Sequence, residues 1–182
     1  MDHGASSYRR YLNGEEAAFD EIMEQLFRSL VFFIDRYVQD VHEAEDLAIE
    51  AMTDLVLHPG RYNFKVSLKT YLFMIGRNKA LDHLRRQKRR RTTPAAEPKV
   101  QEAESQALEE AVLRQERKRI VNHAIKRLPE EMALAVHLIY FEDLSYEEAA
   151  KLMKKSRKQV DNLLYRAKKE LRILIGKEDV CL

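Results

Sequence analysis

The sequence predicts an all-α protein: two small helical domains joined by a flexible linker. Three observations carry that prediction. Apolar residues recur at helical spacing along nearly the whole chain, and no strand-like alternation lasts. Helix-start signatures recur as pairs three residues apart: Asp40 with Glu43, Ser145 with Glu148, and Ser156 with Gln159. One stretch, TTPAAEPKVQEAES at 92–105, combines two prolines with small and acidic residues and reads as a linker.

In chain order, Phe19, Ile22, Met23, Leu26, Leu30, Phe33, Ile34 and Tyr37 predict two helices with a break near Arg28. Asp40 starts the next helix, which carries Ala44, Leu47, Ala48, Ala51, Leu55 and Val56 inward until His58-Pro59-Gly60 stops it. Arg61 to Val66 is a short loop holding Tyr62 and Phe64. Ser67 caps a helix whose apolar side is Leu68, Leu72, Ile75 and Leu84, and which ends in Arg85, Arg86, Lys88, Arg89, Arg90 and Arg91. The first domain is thus 1–91, the linker 92–105 and the second domain 106–182. There a helix spans about 106–127, and Pro129 suits the first turn of another over about 130–141. A turn at Glu142-Asp143-Leu144 leads to a short helix over 145–153, with Ala149, Ala150 and Leu152 available for packing. Lys154-Lys155 forms a tight turn. A longer helix then runs from Ser156 to about Ile175 with an inner stripe of Val160, Leu164, Ala167, Leu171 and Leu174.

Composition narrows the class. The chain has 182 residues, 45% hydrophobic and 34% charged, enough apolar content for packed cores. The single cysteine, Cys181, excludes an internal disulfide framework and a cysteine-based zinc site. The start has no apolar segment of signal-peptide type, and no apolar run approaches the roughly 20 residues of a membrane span. A cytoplasmic location is expected. The net charge of +2 hides a segregation: residues 1–60 hold 4 basic and 13 acidic residues, 61–93 hold 11 and 1, and 151–182 hold 10 and 4. Two basic blocks set among acidic ones suggest two places that meet polyanions and other surfaces that meet something basic.

Two constellations carry chemistry. A short helix, a tight turn and a long helix form a helix-turn-helix pattern, whose second helix enters the major groove. Its first turns present Arg157, Lys158, Gln159, Asn162 and Arg166 outward, types that bond guanine edges, adenine edges or phosphates. The second is Tyr62, Phe64, Lys65, Lys69, Tyr71, Phe73, Arg77, Asn78, Lys79 and the cation run. Aromatics interleaved with cations can hold single strands, bases on rings and cations along the backbone. Tyr71 and Phe73 fit a core role equally well. The histidines are scattered, no glycine-rich phosphate loop exists, and Glu130-Glu131 and Glu147-Glu148 are ordinary helix-starting acids. No catalytic residue, metal ligand, cofactor or small-molecule substrate is expected.

These residues resemble the sigma-70 family of RNA polymerase sigma factors, in its small extracytoplasmic-function group. EAEDLAIEAMTDL at 43–55, followed by FKVSLKTYLFMIGRNKALDHLRR at 64–86, is similar to the family's second conserved region. LPEEMALAVHLIYFEDLSYEEAAKLMKKSRKQVDNLLYRAKKEL at 128–171 is similar to the fourth. The resemblance implies a partner, core RNA polymerase, bound at its clamp and flap elements. Glu43, Glu45, Asp46, Leu47 and Glu50 would dock on the clamp. It implies a −10 surface of Tyr62, Phe64, Lys65, Lys69, Tyr71, Arg77 and Asn78 that recognises and opens promoter DNA. It implies a −35 surface of Ser156, Arg157, Lys158, Gln159, Asn162 and Arg166. A cognate anti-sigma factor is a further implied partner. The chain departs from the family pattern at Lys154 and Lys155, where glycine and an apolar residue are usual, at Tyr71, where tryptophan is common, and at Asp161 and Leu163. The rival reading is a stand-alone helix-turn-helix regulator, which leaves the acidic first block and the aromatic loop without a purpose.

Overall fold

Gly4 sets the entry of the chain. Its φ of 89° is left-handed, and a Cβ there would sit 3.2 Å from Leu26 Cδ1 and 3.3 Å from Leu68 Cδ2. Glycine thus lets the backbone lie directly against the core. The computed structural model describes residues 4–90 and 119–178, and every regular element among them is helical. The chain divides into two units, Met1–Pro98 and Lys99–Leu182. The linker expected over 92–105, the expected helix start at 106, Arg91 and Cys181 lie outside the described residues.

In the first unit, α1 (Ala5–Leu12) is an addition to the expected elements. Its eight residues hold too few apolar positions for a period to show. It is nonetheless anchored: Tyr8 is fully buried and donates to the Leu55 carbonyl at 2.9 Å, and Ser7 donates to Glu21 at 2.8 Å. The expected break near Arg28 is absent, because α2 runs unbroken from Ala17 to Val38. Its buried stripe, Ile22, Leu26, Leu30, Val31, Phe33 and Ile34, continues past Arg28, whose guanidinium lies 5.5 Å over the Phe32 ring. A polar residue on the outer face does not interrupt a helix whose inner face keeps packing.

Asp40 caps α3 (Val41–Leu57), its carboxylate accepting the His42 and Glu43 amides at 3.0 and 3.3 Å. A 3-10 turn at Pro59–Arg61 follows. The Ser67 hydroxyl accepts the Thr70 amide at 3.2 Å and starts α4 (Leu68–Arg90). The core side of α4 is Leu68, Leu72, Phe73, Gly76 and Ala80, while Ile75 and Leu84 are only half-buried. Phe73 stacks on Phe33, ring centres 4.4 Å apart, so Phe73 is core. At Gly76 a Cβ would come within 2.9 Å of Leu30 Cδ1 and Ile34 Cδ1, so the absence of a side chain lets α4 pack closely on α2. α2 packs against all three other helices of the unit.

In the second unit, α5 is helical over 119–126, and the Pro129 carbonyl accepts the Met132 and Ala133 amides to open α6 (Glu130–Val136). The expected helix to 141 changes type: His137–Phe141 is a π-helix, with the Glu142 amide reaching the His137 carbonyl at 3.1 Å. The wider turn brings His137 Nε2 within 3.2 Å of the buried Glu142 carboxylate while Leu138 stays in the core. α7 (Tyr146–Met153) begins with a reciprocal capping box between Ser145 and Glu148. α8 (Arg157–Glu178) begins with a second, in which the Ser156 amide donates to Gln159 Oε1 at 2.7 Å and the Gln159 amide to Ser156 Oγ at 3.2 Å. α8 buries Val160, Leu163, Leu164, Ala167 and Leu174 against α6 and α7, with Leu171 half-buried.

Candidate nucleic-acid interface

The aromatic loop is built on α1 as much as on its own sequence. Tyr62 is buried, its hydroxyl donating to the Val66 carbonyl at 2.8 Å. Phe64 adopts φ 59°, a costly conformation for a non-glycine residue, and the Asn63 side chain accepts the Lys65 amide at 3.1 Å. Phe64 lies 4.5 Å from Tyr62 and 6.2 Å from Tyr8, Tyr71 lies 5.0 Å from Tyr62, and the Arg9 guanidinium lies 4.8 Å over the Phe64 ring. Loop, α1 and the start of α4 thus form one half-buried aromatic shelf. Burial pushes the Tyr8 phenol up to about 12, reinforced by the neighbouring phenols of Tyr71, Tyr11 and Tyr62. Burial raises Tyr71 as well.

The other residues of this expected set do not all join the shelf. Tyr71 and Asn78, seven positions apart, share one side of α4, and Asn78 is exposed. Lys69 belongs to another side, its ammonium 5.8 Å over the buried Phe73 ring, with half-buried Arg77 one turn beyond Phe73. Lys65 is exposed at the loop.

The acidic helix divides in the same way. Glu50 and Asp54 hold Lys79 at 3.1 and 3.0 Å, and Glu43 lies 3.4 Å from His83 Nδ1, so these acids tie α3 to α4. Burial opposes the Lys79 charge, yet the bonds to Asp54 and Glu50 outweigh it and hold the ammonium above its ordinary range. Leu47 is 7% exposed and belongs to the core, so its side chain is not presented outward. Glu45 and Asp46 face solvent beside Ile49, an apolar side chain 52% exposed.

On α8, Ser156, Arg157, Lys158, Gln159, Asn162 and Arg166 are all exposed. Arg157 Nε bonds the Glu147 carboxylate at 3.0 Å, and Ser156 and Gln159 cap each other. Leu163 is buried with the inner stripe and so does not stand on the groove face; Asp161 is exposed. Two further exposed residues, Tyr165 and Lys169, share this face and were not among those expected from the sequence. Lys158, Asn162, Tyr165 and Lys169 follow one another at four- and three-residue steps opposite the stripe, and Tyr165 is 73% exposed. The signal was available: the same spacing that selected Val160, Leu164 and Ala167 leaves Tyr165 on the opposite face. Among the described residues no helix is long and apolar enough to cross a membrane, and no three His, Cys, Asp or Glu side chains converge as a metal site.

Comparisons with known proteins bear on both units. Residues 22–90 match the family pattern described as Sigma-70 region 2, and residues 118–171 match Sigma-70, region 4. The chain is 30% identical over 172 residues to the RNA polymerase sigma-H factor of Pseudomonas aeruginosa, covering 89% of this chain and 88% of that one. It is 26% identical over 158 residues to the ECF RNA polymerase sigma factor SigM of Bacillus subtilis, covering 87% and 95%. Among solved structures, it is similar to the sigma factor RpoE in complex with the anti-sigma factor NepR from Bartonella quintana, with TM-score 0.64, 20% identity and coverage of 87% and 96%. It is likewise similar to CnrH in complex with the cytosolic domain of CnrY, with TM-score 0.60, 18% identity and coverage of 96% of each chain. At these identities the structural likeness is one of fold.

Proposed function

The chain belongs to the sigma-70 family of RNA polymerase sigma factors, in its extracytoplasmic-function group, and on that premise we propose how its surfaces divide the work. As a sigma factor it binds core RNA polymerase and directs promoter recognition, DNA melting and transcription initiation, with no catalysis of its own. The observation that carries this is the pair of regions, in family order, on two helical units.

The first domain, 1–91, docks on the polymerase clamp and opens the −10 element. The outward acids Glu45 and Asp46, with Ile49, supply the docking contact, and Glu43 and Glu50 hold α3 to α4 behind them. Half-buried Phe64 and Tyr71, backed by buried Tyr62, form the shelf for an unpaired base, with Lys65 and Asn78 beside it and Lys69 and Arg77 on the neighbouring side of α4. Residues 92–105 link this domain to 106–182, which meets the flap and reads the −35 element through Lys158, Asn162, Arg166 and Tyr165. The protein works in the cytoplasm, where the polymerase is. A cognate anti-sigma factor holds it inactive, a reading supported by the complexes in which its structural relatives were solved.

Transcription from a promoter library randomised at −35 tests the assignment. A base-reading side chain contributes roughly 1–3 kcal/mol at one position, whereas a phosphate-binding one weakens all sequences alike. Polymerase carrying Asn162→Ala should relax preference at one or two −35 positions and keep its −10 preference. A uniform fall in output would make this face a backbone grip only.

A further inference from the structure

We propose that Arg9 is a nucleic-acid contact of the opened strand, supplied by α1 to the shelf that Phe64 and Tyr62 form; this rests on the reading of Phe64 as part of the −10 surface. Arg9 lies before residue 22, where the region 2 match begins, so the family pattern assigns it nothing. Residues 1–60 contain only four cations, Arg9, Arg10, Arg28 and Arg36, against 13 acids. Arg10 bonds Glu15 and Glu21, and Arg28 lies over Phe32. Arg9, exposed and immediately before Arg10 in the same turn, instead lies over Phe64.

The helix that carries it is fixed in place. Gly4 packs on Leu26 and Leu68, Tyr8 is hydrogen-bonded to Leu55, and Ser7 to Glu21. A guanidinium held over an aromatic ring at the edge of a shelf suits the task, because its plane stacks on bases while its five donors reach phosphate. An unpaired base arriving on Phe64 takes the position over the ring or shares it. Arg9 then turns its donors to the backbone of the same nucleotide, beside exposed Lys65.

The test uses holoenzyme assembled with core polymerase and a promoter fragment already opened over −10, its affinity measured across a salt series. Arg9→Ala should weaken binding about tenfold and reduce the salt slope by about 0.7–1, the loss of one phosphate contact. Arg9→Lys should recover the slope but not the full affinity, because an ammonium has no plane to stack. Phe64→Ala is the control. If Phe64→Ala weakens binding and Arg9→Ala does not, the inference fails and the −10 reading stands. If neither matters, the −10 reading fails and takes the inference with it. Tighter binding by Arg9→Ala would make the arginine a shield, and weaker binding with an unchanged slope would make α1 only a scaffold. Either result overturns the proposal.

Discussion

The phenol of Tyr8 has no contact with water, and its proton is committed to the Leu55 carbonyl. Because its folded pKa of about 12 exceeds the ordinary value of 10.0, the neutral form is the one the fold favours. The associated stability is therefore fully present below pH 10 and lost as pH rises through about 12. Urea unfolding of wild type and Tyr8→Phe at pH 8 and pH 11 should show it: the variant starts lower, by about 1–3 kcal/mol for the orphaned carbonyl, yet loses less between the two pH values. Equal losses would mean that the folded phenol ionises as readily as the unfolded one, so that its burial does not hold the proton. Gln159 carries a second residue-scale conflict, since the carboxamide that the sequence places on the −35 surface already accepts the Ser156 amide. Gln159→Ala should cost about 0.5–2 kcal/mol through the lost cap, while Gln159→Glu keeps the cap and removes the amide donors. Any −35 phenotype shared by both variants is readout, measured as altered base preference; one confined to Gln159→Ala, with a lowered melting temperature, is capping.

Lys154 ends α7 with φ 53°, and the Lys155 amide reaches back to the Ala150 carbonyl at 2.9 Å, the closing bond of a left-handed helix terminus. Glycine adopts that conformation without a Cβ penalty, so Lys154→Gly should stabilise the second unit by about 0.5–1 kcal/mol, read as a raised melting temperature. No rise would mean that the gain in unfolded-chain entropy offsets the relief. Lys155, the next residue, is half-buried and bonds the Glu131 carboxylate at 2.7 Å. At this scale the sequence was a good guide wherever an end carries its own signal. Asp40, Ser67, Ser145 and Ser156 mark their helices, and His58-Pro59-Gly60 marks a stop. It misled where tertiary packing decides. Arg28 looked like a break because its polarity interrupts the apolar spacing locally. α1 left no period because eight residues bury chiefly one ring. The π-helix closes its backbone bond across five residues, from the Glu142 amide to the His137 carbonyl, which no 3.6-residue template anticipates. For the expected site residues, spacing gave helix faces but not the way the fold divides them. Spacing could not say that Leu47 and Leu163 pack inward, that Glu43 and Glu50 are occupied by α4, or that Arg9 joins Phe64 from outside the loop.

For the molecule as a whole, the segregated charge argues for dependence on the polymerase. The net +2 comes from 32 basic and 30 acidic residues, and the acidic excess sits in residues 1–60. A chain so nearly balanced is drawn weakly to DNA at long range, because its own acids repel the phosphates that its basic blocks attract. The shelf around Phe64 has a further requirement: a base inside a duplex cannot stack on it, so this surface contributes only after melting. In the proposed division of surfaces, docking of the acidic face of α3 on a basic polymerase element would remove the first obstacle, and strand opening by the complete enzyme the second. The free chain should therefore bind promoter and random duplex alike, with Kd of about 10⁻⁴–10⁻⁶ M at physiological salt. Chain and core polymerase together should bind the promoter specifically, at about 10⁻⁸ M or tighter. Gel shifts with chain alone, core alone and both decide the matter, and charge reversal at Glu45 and Asp46 should abolish the specific complex without changing the weak one. Tight, sequence-specific binding by the chain alone would show that the −35 face suffices by itself, and the argued dependence on docking and melting would fall.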